Sequence, residues 1–124
     1  MDSNQASFLL IGCALEVHKN LGPGLLESVY EACLVKELNR AGLECKTQVP
    51  IPITYKNEQL DVFYRADMIV ENVLLVELKS IDKVARLHRN QVVTYLKLGG
   101  WNLGLLINFN TTLLKSGIHR IILN

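Results

Sequence analysis

Arg65-Ala66-Asp67-Met68-Ile69-Val70-Glu71-Asn72-Val73-Leu74-Leu75-Val76-Glu77-Leu78-Lys79 is the stretch that decides the fold of this chain. Two short apolar runs flank Glu71-Asn72, a pair suited to a tight turn, so the stretch predicts a β-hairpin. Side-chain alternation puts Leu74, Val76 and Leu78 on the core side of the second strand and Glu77 and Lys79 together on the other. The hairpin brings Asp67 of the first strand towards Glu77. Two carboxylates at one spot repel unless a proton or a cation separates them. A hard divalent ion held by oxygen ligands is the natural occupant. A solvated, salt-bridged sheet face is the plainer alternative. Against it stand the apolar character of both strands, the short turn, and Lys79 placed to stabilise phosphate charge or hold a water.

Outward from this hairpin, the length of 124 residues corresponds to one domain. A hydrophobic share of 49% suits a globular core and excludes a disordered chain. The net charge of +1 is unevenly spread: residues 1–79 hold seven Lys/Arg against eleven Asp/Glu, and residues 80–124 hold six against Asp82 alone. An acidic part able to bind cations is thus joined to a basic part able to bind phosphate. Cys13, Cys33 and Cys45 form no Cys-x-x-Cys pair. They read as reduced core thiols in a cytoplasmic protein, and zinc lacks its ligand pairs. Met1-Asp2-Ser3-Asn4-Gln5 has no basic leader, and the run from Phe8 to Leu15 is too short to span a bilayer.

The other elements follow from periodicity and breakers. A helix is expected over 5–20, with Phe8, Ile11, Leu15 and His18 on its apolar stripe and Ala14 and Val17 widening it. Leu21-Gly22-Pro23-Gly24 breaks it. A second helix runs from Leu25 to about Ala41, its buried side marked by Leu26, Val29, Cys33 and Leu38, and stops at Gly42. Glu44 to Tyr55 reads as an edge strand, because Pro50 and Pro52 cannot donate to a ladder. A turn at Lys56-Asn57-Glu58 leads into the strand Leu60–Val70, and Leu74–Ser80 is the third. Asp82 is placed to cap a helix reaching about Leu98, ended by Gly99-Gly100. Trp101–Phe109 is apolar enough for a buried parallel strand, and Ile118, Ile121 and Ile122 mark a short last one. The order α-α-β-β-β-α-β-β predicts an α/β fold, a mixed central sheet flanked by helices.

Three further groups are candidates for chemistry. Gln91 and Tyr95, four apart, share a helix face, although an ordinary boundary pair would look the same. Glu27 lies in the first turn of the second helix, where the dipole favours a carboxylate, or else faces the hairpin acids. His18 reads as a satisfied core or boundary residue. Lys83, Arg86, His88, Arg89 and Lys97 make the third helix basic, either as a solvated face or as phosphate contacts.

Gly24, Glu27 and Tyr30, preceded by Glu16-Val17-His18-Lys19-Asn20-Leu21-Gly22-Pro23, form a pattern that resembles the GxxExxY family of small bacterial and archaeal proteins, within the PD-(D/E)XK nuclease-like superfamily. The resemblance continues through Tyr64-Arg65-Ala66-Asp67, Val76-Glu77-Leu78-Lys79, the Gln91-to-Tyr95 helix and Gly104-Leu105-Leu106-Ile107-Asn108-Phe109, and so covers nearly the whole chain. It implies a single domain over 1–124 with a restriction-endonuclease-like core. It also implies that Asp67, Glu77 and the carbonyl of Leu78 ligate magnesium or manganese, that Lys79 positions or deprotonates a water, and that Glu27 is the additional helical acid holding a metal-bound water. Gln91 and Tyr95 match a Gln-x-x-x-Tyr helix of the exonuclease-like branch. One departure is Ala66, where a proline often precedes the aspartate.

The expectation is therefore metal-dependent hydrolysis of nucleic-acid phosphodiesters, DNA first by analogy, with Lys83, Arg86 and Arg89 gripping the backbone. The alternatives are a catalytically silent nuclease-fold module that binds nucleic acid or a protein partner, and a small assembly protein such as a homodimer.

Overall fold

The computed structural model describes all residues, 1–124. Helix α1 (Ser3–Leu21) opens on a capping box: Gln5 N–H donates to the Asp2 carboxylate at 2.8 Å, and Asp2 N–H donates to the Gln5 side chain at 3.0 Å. Its buried side is Ala6, Leu10, Cys13, Ala14 and Val17, with Ser7 and His18. This corrects the expected stripe, since Phe8 and Leu15 face outward. The helix carries apolar residues on two neighbouring faces, and the face with small alanines is the one that can approach the sheet closely. Helix α2 (Glu27–Arg40) buries Tyr30, Leu34 and Leu38. Of the expected inner residues only Leu38 is fully buried; Leu26 and Val29 are exposed and Cys33 sits at the core margin.

Strands β1 (Cys45–Tyr55), β2 (Glu58–Val70), β3 (Leu74–Lys79), β4 (Leu103–Asn108) and β5 (Ile118–Ile122) form one sheet in the order β1-β2-β3-β4-β5. β3 and β4 are parallel and every other pair is antiparallel. Helix α3 (Arg86–Gly99) supplies the crossover that a parallel pair requires. β1 lies at the edge, as its prolines demand. The β2–β3 turn takes left-handed φ values of 54° at Glu71 and 59° at Asn72, the conformation that matches strand twist in a tight hairpin. α1 and α2 cover one face of the sheet, meeting Met68, Val70, Leu74, Val76 and Leu78. α3 covers the other, with Val92, Tyr95 and Leu96 against Ile69, Leu75 and Leu106. Gly104 lets α3 approach β4: a Cβ there would lie 2.8 Å from a Val92 methyl. No helix is long and apolar enough to cross a membrane.

Asp82 does not cap α3. The cap is Ala85, whose N–H donates to His88 Nδ1 at 2.8 Å. The preceding irregular segment is held by buried Asn108, which accepts the Ile81 N–H at 3.1 Å and donates to the Ile81 carbonyl at 2.9 Å. Such a tether, 27 positions away in the chain, satisfies backbone groups that a helix would otherwise pair.

β2 pairs with β3 only from Met68 to Val70, while its pairing with β1 continues to Glu58. The β1–β2 ribbon therefore leaves the sheet at Asp67, and β2 and β3 fork there.

Candidate active site at the fork between β2 and β3

Beyond the last ladder pair, Met68 with Val76, side chains take over from backbone bonds. Leu78 N–H donates to Asp67 Oδ2 at 2.8 Å, and Asp67 N–H reaches Glu77 Oε1 at 3.4 Å. The strand also changes face here. Ala66 packs with the α3 core and Met68 with the α1–α2 core, although residues two apart in a regular strand share a side. Across from Asp67, between the pairs Thr47–Met68 and Val49–Ala66, lies Gln48 with a left-handed φ of 52°. This local irregularity has the effect of a bulge: it re-aims one side chain at the point where β2 parts from β3, while the β1–β2 ladder continues.

The two acids that the hairpin spacing places together are thus in contact. Glu77 is only 4% exposed. Burial, followed by the hydrogen bond and negative charge of Asp67, pushes its pKa up to about 9; Lys79 and a backbone bond pull the other way. Tyr95, buried in the α3 core beside Tyr64, lies close enough to feel both charges. Its hydroxyl is pushed up to about 12, first by burial and then by the charges of Glu77 and Asp67, so it remains an O–H donor.

Two clefts open near this pair, one lined by Asp67 and the other by Lys79. One, of about 150 Å³, is lined by Glu27, Ser28, Glu31, Gln48, Asp67 and Leu78. The other, of about 500 Å³, is lined by Tyr64, Lys79, Leu87, His88, Asn90, Gln91 and Thr94. Glu27 hence shares a cleft with Asp67 and Leu78, and Lys79 shares the other with Gln91. No three His, Cys, Asp or Glu side chains stand close enough together to form a metal cluster. The donor chemistry nevertheless suits a hard divalent ion: the two touching carboxylates, Glu27 in the adjoining cleft and the Leu78 carbonyl are all oxygen donors. Burial, and after it the neighbouring Asp67, disfavour the charged form of Glu77, and a cation bound between the two would offset both.

The local fold explains how Glu27 is presented. The loop before α2 has left-handed φ values at Gly22, 70°, and Gly24, 91°, which glycine alone adopts freely. Tyr30 is fully buried, its ring stacked on Phe109 at 4.4 Å between centroids. Its hydroxyl donates to the Gly22 carbonyl at 2.6 Å and accepts the Leu25 N–H at 3.2 Å. Ser80, just after β3, donates its hydroxyl to the Leu25 carbonyl. Gly24 and Tyr30 thus serve the loop, and Glu27 is the motif residue left facing a cleft.

Other sequence candidates lie elsewhere. His18 is satisfied by the Thr111 carbonyl, 2.8 Å from Nε2. Lys83, Arg86 and Arg89 are exposed and line neither cleft; Arg89 lies 2.8 Å from His119 Nδ1. Burial and then the Arg89 charge lower the His119 pKa. Sequence reasoning passed over Tyr64, Leu87, Asn90 and Thr94 as wall residues. Leu87, Asn90, Gln91 and Thr94 recur at helical spacing, a signal available in the sequence.

No match was found among curated proteins or among solved structures. The model of the PD-(D/E)XK nuclease superfamily matches residues 4–121. That match, over a mixed five-stranded sheet of restriction-endonuclease-like order with paired carboxylates at its fork, identifies the chain as a member of the PD-(D/E)XK nuclease superfamily.

Proposed function

We propose that this chain is a nuclease of the GxxExxY branch that hydrolyses nucleic-acid phosphodiesters, DNA first, with magnesium or manganese. The contact between Asp67 and the buried Glu77, beside Lys79, carries the reading. Asp67, Glu77 and the Leu78 carbonyl would hold the ion, and Glu27 would hold a water beside it. When bound, the ion polarises a phosphoryl oxygen and acidifies water. Lys79 meets the charge that grows on the phosphoryl oxygens as the water attacks and the P–O bond to the leaving strand breaks. Gln91 orients a phosphate oxygen or the water, and Tyr95 donates its O–H near the carboxylates. Lys83, Arg86 and Arg89 grip flanking phosphates without reading bases.

A second reading is a silent nuclease-fold module that binds nucleic acid or a protein partner. What favours it is the lack of a third acid in the Asp67–Glu77 cluster. Incubation with single-stranded DNA, duplex DNA and RNA, with magnesium, manganese or EDTA, separates the two. The nuclease reading expects metal-dependent cutting that Lys79→Ala slows by roughly 10²–10³-fold, the usual effect of deleting one charge-stabilising donor. Binding without cutting of any substrate in either metal supports the silent module instead.

A further inference from the structure

The larger cleft has a wall that phosphodiester chemistry does not need. Lys79 and Gln91 line it, but so do Tyr64, Leu87, His88, Asn90 and Thr94. Tyr64 leans on Tyr95, centroids 5.1 Å apart, yet stays 39% exposed. Leu87, on the first turn of α3, is 77% exposed. His88 uses Nδ1 to accept the Ala85 N–H, so the proton of its neutral ring sits on Nε2, which is left as a donor. Asn90 and Gln91 each offer amide donors and an acceptor, and Thr94 a hydroxyl. An aromatic face, an aliphatic side chain, several donors and acceptors and one ammonium are the parts that receive a base together with its phosphate.

We propose that this cleft receives a single unpaired nucleobase of the strand whose phosphate lies at Lys79. The base stacks on Tyr64 and Leu87, and Asn90 and His88 meet its edge. The volume, about 500 Å³, lies within the range of cavities that hold small ligands and admits a nucleoside. Charge selects this side for the base: without its ion the smaller cleft holds Glu27, Glu31 and Asp67 with no cation, whereas the larger one holds the Lys79 ammonium beside its aromatic wall. A base in duplex has its faces stacked and its edge paired, so only a single-stranded or frayed end can enter without paying to unstack it. Stacking tolerates any base, so little sequence preference follows.

This inference rests on the phosphodiester reading and names the strand state it takes. Its test is fluorescence anisotropy in EDTA, where nothing is cut, with three probes: a labelled oligothymidylate, the same strand with abasic sites, and the thymidylate annealed to its complement. Wild type should bind the single strand roughly tenfold tighter than the abasic strand or the duplex. Tyr64→Ala and the surface variant Leu87→Ala should narrow the gap between thymidylate and abasic strand, while Tyr64→Phe keeps it. Equal affinity for thymidylate and abasic strands, equal affinity for duplex, or no binding of any probe overturns the proposal. Cutting in magnesium is scored separately. Base-dependent binding without cutting removes the nuclease reading and leaves the cleft; cutting without base dependence does the reverse.

Discussion

Glu77 is buried against a second carboxylate, and its raised pKa has a thermodynamic consequence. Below about pH 4.5 the folded and unfolded chains both hold the proton, so the residue costs nothing. Between there and about pH 9 the unfolded chain releases the proton and the folded chain keeps it. The unfolded state then binds fewer protons, so stability falls as pH rises through that window. Glu77→Gln, which keeps the shape without the titration, should raise stability at pH 8 by about 1–2 kcal/mol, the usual gain from relieving a functional site. Urea unfolding in EDTA across pH 5–9 measures it; parallel pH profiles for variant and wild type would contradict it. Tyr30 has the opposite character, since its hydroxyl serves two buried loop groups. Tyr30→Phe should cost about 1–3 kcal/mol, the price of leaving buried partners unpaired. It should also slow cleavage, because the loop that holds Glu27 loosens. Unfolding and steady-state cutting assays report the two effects separately.

At the level of elements, Asn108 is the tether between β4 and the segment that leads into α3. Asn108→Ala should destabilise by about 1–3 kcal/mol and speed hydrogen exchange at the Ile81 amide, with core amides of β3 and β4 slowed by their ladder as before. Unchanged exchange at Ile81 would show that the segment has another anchor. This tether also explains an error in reading the sequence. Asp82 has good local chemistry for a helix cap, but the competing bond comes from a residue that no local window contains. The inward side of α1 was legible in part: Ala14, Val17 and His18 are buried as expected, but Phe8 and Leu15 outweigh Ala6 in hydrophobicity, whereas close packing on a sheet selects the small residues. Breakers and alternation, by contrast, are local, so the prolines of β1, the Glu71-Asn72 turn and the apolar run of β4 gave the edge strand, the hairpin and the parallel pair of a mixed sheet.

At the scale of the whole molecule, the fork organises the site. Alternation along one hairpin was enough to bring Asp67 and Glu77 together, because their separation is set by a short turn. The position of Glu27 was not legible from spacing, since it depends on how α2 docks on the sheet and on the Tyr30 and Ser80 bonds that fix its loop. The division into an acidic cleft and a cleft with Lys79 was equally hidden, because it arises from the irregularity at Gln48 and Asp67. The acidic cluster on one side and the ammonium on the other make the central claim a statement about a cation. Isothermal calorimetry of magnesium into the metal-free protein tests it most directly, with Asp67→Ala alongside. Wild type should give a saturable heat with a stoichiometry of at least one ion and Asp67→Ala none, while both unfold cooperatively. Equal heats from the two proteins, or no heat from either, would contradict the account.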